Sequence, residues 1–166
     1  VSDGAGGSVE QVLVVTINGT NDAPTTSGTL TNSDARESGV DVSGVVDAVA
    51  ATGGSDALFA NLTDVDDVIA DFSVSQAKET TAGVLASVSG TEAANGTSIT
   101  GLYGTIKIGT DGSYSYVVDD TNNTVQALDE TQTLDDSFTV TVSDGAGGSV
   151  EQVLVVTING TNDAPT

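Results

Sequence analysis

The chain of 166 residues contains no histidine, cysteine, methionine or tryptophan. Ser-His-Asp and Cys-His nucleophiles, His- or Cys-ligated zinc, haem, iron-sulfur clusters and disulfides each require a residue type that is missing. Basic side chains are nearly absent too: Arg36, Lys78 and Lys107 stand against 24 acidic residues, a net charge of −21. Phosphate contacts need clustered Lys and Arg, so no nucleic acid is expected as a partner, and an anionic membrane surface would repel the chain. No apolar run approaches the roughly 20 residues of a membrane span, so direct membrane insertion is not expected. With three Tyr and three Phe, aromatic platforms for stacking sugars are scarce.

What remains is rich in Val, Ile and Thr, whose branched side chains favour strands, with 20 glycines to turn them. Residues 104–108 and 113–118 alternate around Asp111-Gly112, which predicts a hairpin. Residues 137–143 and 150–158 predict a second hairpin with the Gly-rich tip 144–148. Residues 70–75 and 84–89 read as strands, 55–62 as one or two helical turns with Leu58 and Leu62 on one side, and 43–54 as ambiguous. Short strands with turn signals about every ten residues predict an all-β fold, an antiparallel β-sandwich.

Residues 1–25 recur unchanged at residues 142–166, an offset of 141. Identity of that extent implies tandem copies of a unit of this length, so the sequence is expected to be a piece of a longer protein. Residues 1–25 are then the last strand and linker of a preceding repeat, and 26–166 one complete repeat ending in a linker. The natural partners are neighbouring repeats in the same chain. The two copies of the strand at 8–18 and 149–159 compete for one slot. The short hairpin should favour the C-terminal copy and leave residues 9–17 free for strand-mediated self-association.

Asp outnumbers Glu by 18 to 6. Short carboxylates in turns build compact oxygen cages, which suit calcium and its six to eight oxygen ligands. In TDVDD, alternate extended residues would let Asp64 and Asp66 share one ion while Asp67 faces elsewhere. A solvated acidic turn is the plain alternative there, as is an ordinary Asn/Asp turn for the linker pairs Asn21-Asp22 and Asn162-Asp163. A halophile's acidic surface would also explain the total charge. Asp119-Asp120 and Asp135-Asp136 read as solvated loop charges, and Tyr114 and Tyr116 as packing residues. Acid/base catalysis by paired carboxylates is improbable in a tandem unit, so no enzyme is expected.

The segment 102–166, with DGSY after a strand, VQALDE, FTVTVSDG and the terminal INGTNDAP, closely resembles the VCBS repeat of long secreted adhesins of Gram-negative bacteria, often of the RTX type. The resemblance implies a cadherin-like or immunoglobulin-like sandwich, exported by type I secretion to the bacterial cell surface, with calcium at the junctions between repeats. Carried onto this sequence, the acidic elements of cadherin-like repeats give Glu37, Asp64, Asp66, Asp129, Glu130, Asp144 and the linker residues Asn21, Asp22, Asn162 and Asp163, with Asp67 adjoining them; Asp129 and Asp163 of one unit are then expected to meet the linker and the Glu37, Asp64 and Asp144 of the next. Thr131 stands where the LDRE-type element ends in Glu. The implied function is a calcium-rigidified extender that holds distal modules away from the cell for adhesion and biofilm formation; the alternative is a glycan- or protein-binding module of the same adhesin.

Overall fold

The computed structural model describes residues 1, 4–41 and 44–162. Its first strands are β1 (Thr25–Thr26), β2 (Leu30–Arg36), β3 (Gly39–Asp41), β4 (Gly44–Val46), β5 (Ala51–Gly53) and β6 (Leu62–Thr63). They are followed by β7 (Ser73–Glu79), β8 (Ala86–Ser87), β9 (Thr97–Thr100), β10 (Gly104–Ile108), β11 (Tyr114–Val118), β12 (Thr133–Ser143) and β13 (Ser149–Asn159). A five-stranded sheet, β2-β13-β12-β7-β8, faces a four-stranded sheet, β5-β11-β10-β9; β1 pairs with β6 and β3 with β4. The chain is an all-β sandwich.

Alternation builds the core. On β13 the residues Leu154, Val156 and Ile158 turn inward, on β12 Phe138, Val140 and Val142, and on the facing sheet Ile106, Ile108, Tyr116 and Val118. Tyr116 and Phe138 meet across the sandwich with ring centroids 5.9 Å apart. Tyr114 and Tyr116 are both buried, as expected of packing residues. The β10–β11 hairpin turns at Gly112, whose φ of +78° suits glycine and where a Cβ would run into the Phe59 ring. A 3₁₀ turn at Ala57–Phe59 buries Leu58 and Phe59, and Leu62 follows them inward. Strand β7 begins after a 3₁₀ turn at Ile69–Asp71, so the expected strand at 70–75 starts late and runs on to Glu79. The expected strand at 84–89 is reduced to β8, and the ambiguous stretch 43–54 contains β4 and β5.

Two features depart from the sequence expectations. Strand β2 pairs with β13 in parallel, so the beginning and the end of the sandwich lie side by side. Asp136, read as a solvated loop charge, lies in β12 and is fully buried. It accepts hydrogen bonds from the backbone N–H groups of Leu102 (3.1 Å) and Tyr103 (3.0 Å) and from the Tyr116 hydroxyl (2.9 Å). A buried carboxylate is tolerable because three donors converge on it.

The two copies of the repeated segment behave differently. The C-terminal copy forms the end of β12, the hairpin tip and all of β13, paired over eleven positions with β12. In the N-terminal copy, among the described residues, one rung of that hairpin is bonded: the Val9 N–H donates to the Val1 carbonyl (2.9 Å) and the Val1 amino group to the Val9 carbonyl (2.8 Å). These are the counterparts of Val150 and Val142, which pair in β13 and β12. Residues 10–18 join no strand among the described residues, and Val12, Leu13, Val14, Val15 and Ile17 are exposed. The Val1–Val9 rung therefore closes without a sheet, whereas the strand beyond it needs one. Deleting residues 1–18 should leave the melting temperature of the sandwich unchanged and reduce any self-association seen by sedimentation; loss of the folded state would show that the sandwich depends on this segment.

Candidate metal centre

Strands β2 and β13 run in the same direction, so the chain arrives at one pole of the sandwich and leaves at the other. The eleven residues of β13 put the poles about 35 Å apart. The arriving pole holds the acidic cluster. Strand β6 stops at Thr63, and residues 65–66 bend instead of continuing extended. The bend corrects the expectation that Asp67 faces away. Asp64, Asp66 and Asp67 each offer a carboxylate oxygen within 4.8 Å of the others, and the three could hold a metal ion.

Local hydrogen bonds set this bend. Asp64 Oδ1 accepts the N–H of Asp66 (3.1 Å) and more weakly that of Asp67 (3.4 Å), an Asx-type turn. Two further oxygens, Asp64 Oδ2 and Asp67 Oδ2, are removed from solvent with no hydrogen-bond partner among the described residues. Buried acceptors are normally satisfied, and a pair of them on neighbouring carboxylates is the arrangement a cation completes. Beside them lies a cavity of about 510 Å³ lined by Leu62, Thr63, Asp64, Asp67, Val68, Ile69, Ala70 and Phe72.

Residues distant in sequence close the site. The Asn21 amide donates to Asp144 Oδ2 at 2.9 Å, and the Asp22 N–H donates to Asp66 Oδ2 at 3.3 Å. Asp144 Oδ1 accepts the N–H groups of Ala146, Gly147 and Gly148, which folds the β12–β13 tip around it. Arg36, Lys78 and Lys107 lie elsewhere, at the far end of β2, on β7 and on β10.

Electrostatics follow from this crowding. The hydrogen bond shared with Asp64 is the first cause holding Asp66 above the ordinary carboxylate range. Asp67 is pushed up by burial, then by the charges of Asp64, Asp66, Asp144 and Asp71. Asp64 is held low, chiefly by the Asp66 N–H, and Asp144 is held low, chiefly by the Asn21 amide. Without a counter-ion, part of the cluster resists ionisation.

The remaining expected ligands among the described residues, Glu37, Asp129, Glu130 and Asn162, lie at the leaving pole, a correction to the expectation that Glu37 joins Asp64 and Asp144. Glu37 follows β2, which ends there. Its buried carboxylate accepts the Thr161 N–H at 2.8 Å and the Gln126 amide at 3.5 Å. Asp129 accepts the N–H and hydroxyl of Thr131, which lower its pKa, hydroxyl first. Glu130 borders Gly160 and Thr161 in a shallow depression. Asn162 donates to the Val40 carbonyl at 2.9 Å. Asp163 lies outside the described residues. Asp111, expected to serve only its turn, does hold that turn, accepting from Ser113 and Ser55.

No protein-family model matches the chain, and no curated protein matches it significantly. Among the described residues no helix is long and apolar enough to cross a membrane.

Proposed function

We propose that the chain is a calcium-rigidified extender repeat of a large secreted bacterial adhesin, one of many units that hold distal binding modules away from the cell surface for adhesion and biofilm formation. The observation that carries this reading is the arriving pole, where Asp64 and Asp67 present orphaned oxygens beside Asp66, Asp144 and the linker pair Asn21-Asp22. An all-oxygen, carboxylate-rich set suits calcium; magnesium prefers to keep its waters and zinc prefers nitrogen or sulfur. Asp64 and Asp67 would supply first ligands, and Asp66 and Asp144 would add charge. The unchanged recurrence of 25 residues supports a tandem array, and its motifs support the VCBS resemblance and, with it, a cadherin-like sandwich secreted to the cell surface. The burial of Tyr114 and Tyr116 favours this over a glycan-binding module, since neither ring is offered to a sugar.

Thermal unfolding in calcium against EDTA tests the assignment. A cation that binds only the folded state at a hundredfold excess over its dissociation constant adds about 2.7 kcal/mol per site. For a domain of this size that raises Tm by about 5–10 °C. Sodium chloride at matched ionic strength should give much less protection. If chelation leaves Tm unmoved, or sodium protects as well as calcium, the charge is a halophilic surface and the calcium reading fails.

A further inference from the structure

Residues 19–25 and 160–166 are the same seven residues, Gly-Thr-Asn-Asp-Ala-Pro-Thr, so one chain displays both ends of the linker that joins consecutive units. At the leaving pole the linker is fixed through its threonine. Thr161 is buried, its N–H bonds the Glu37 carboxylate, and its hydroxyl donates to the Glu37 carbonyl at 3.2 Å. At the arriving pole it is fixed through its proline, since Pro24 is buried and Ala23 packs on Gly148. Between those anchors lie only Asn, Asp and Ala, a span of at most about 14 Å. Two surfaces tied that closely must face each other. Each also carries exposed apolar side chains, Val45 and Val49 at the leaving pole and Val65, Val68 and Ile69 at the arriving pole.

The linker asparagine touches both surfaces. As Asn162 its amide donates to the Val40 carbonyl of the unit it leaves, and as Asn21 it donates to Asp144 of the unit it enters. An amide nitrogen carries two hydrogens, so both bonds can coexist. The second hydrogen of Asn21 goes to its neighbour's carbonyl, Asp22 O at 2.8 Å, and that local bond is the one exchanged for Val40 when a preceding unit is present. We infer that the leaving pole of one unit docks on the arriving pole of the next, with the linker asparagine as a two-sided clamp that fixes their relative orientation. The inference rests on the tandem reading above and does not depend on a bound ion.

The test uses a chain continued from Thr166 by a second copy of residues 26–166. Because the sequence has no cysteine, Thr105→Cys in each unit places two unique spin labels, and electron-electron double resonance reads the distance between units. In EDTA, where asparagine cannot act as a calcium ligand, the unaltered chain should give a narrow distribution. Asn162→Ala should broaden it to about 10 Å, the r.m.s. reach of three flexible residues. An unchanged width in EDTA overturns the clamp. So does a melting temperature of the single-unit chain bearing Asn162→Ala lowered by more than about 2–4 °C, beyond the loss of its one exposed bond to Val40, which would assign the side chain to the unit's own fold. Failure of the calcium reading would show separately, as no further narrowing of the unaltered chain when calcium is added.

Discussion

Asp67→Asn should raise the melting temperature in EDTA and lower it in calcium, a change of sign within one variant. Without a cation Asp67 is half-buried among the charges of Asp64, Asp66, Asp144 and Asp71, so its ionised form opposes folding. Because its folded pKa is raised, the stability it contributes is full below the ordinary carboxylate pKa and is lost as pH rises through the folded value. At pH 7 without calcium the neutral amide removes that loss, and the variant should melt higher. Below about pH 4 Asp67 is protonated in either state, so the advantage should vanish. With calcium the ordering inverts, because the orphaned Oδ2 is the oxygen an ion would use. Calcium affinity should fall by about tenfold or more, by analogy with losses at metal sites generally. Melting curves of both proteins, with and without calcium at pH 7 and pH 4, check the whole pattern. A variant less stable under every condition would mean that Asp67 serves only the local turn. Groups held low, such as Asp64 and Asp144, titrate the other way: their stability is present above the ordinary pKa and lost as pH falls through the folded one.

Asp136→Ala should have the larger effect on the fold itself. Removing the carboxylate leaves the part-buried N–H groups of Leu102 and Tyr103 and the buried Tyr116 hydroxyl without their acceptor. Unsatisfied buried donors cost about 1–3 kcal/mol each, and the set together about 3–5 kcal/mol. Tm should fall by about 10 °C or more, with or without calcium. Tyr116→Phe removes one of the three bonds and should cost only about 1 kcal/mol. Equal Tm values for Asp136→Ala and the unaltered chain would show that water satisfies these donors. Asp136 lies far from the acidic cluster, so calcium affinity should be unaltered in the folded fraction.

Asp136 also shows what was legible and what was not. The alternation of Phe138, Val140 and Val142, continued two residues back, places Asp136 on the core face and Asp135 outside, where it accepts from the Thr157 hydroxyl. The signal was present, but an Asp-Asp pair reads as solvent until the strand is extended through it. Both long hairpins were legible because Asp-Gly and Gly-Gly turns separate runs of period two. Strand β2 was not: its sequence LTNSDAR is mostly polar, and its only fully buried residue is Ala35. It becomes a strand because β13 offers an edge some 120 residues later in the chain. The site divides the same way. The spacing of Asp64 and Asp66 marked the cluster, whereas the meeting of Asn21 with Asp144 depends on tertiary structure and left no local trace. Glu37 was placed at the wrong pole because linear order does not tell which end of a strand a flanking residue occupies.

The parallel pairing of β2 and β13 bears on how an array of such units would respond to pulling. Tension along a tethered chain draws β2 toward the arriving pole and β13 toward the leaving pole. Their five paired positions, from Leu30 with Leu154 to Arg36 with Asn159, then oppose the force by sliding lengthwise. Hydrogen bonds loaded in that direction share the strain and break together, whereas a hairpin pulled from its open end unzips one rung at a time. The two ends of the sandwich would therefore meet in a mechanical lock, placed where the load enters and leaves.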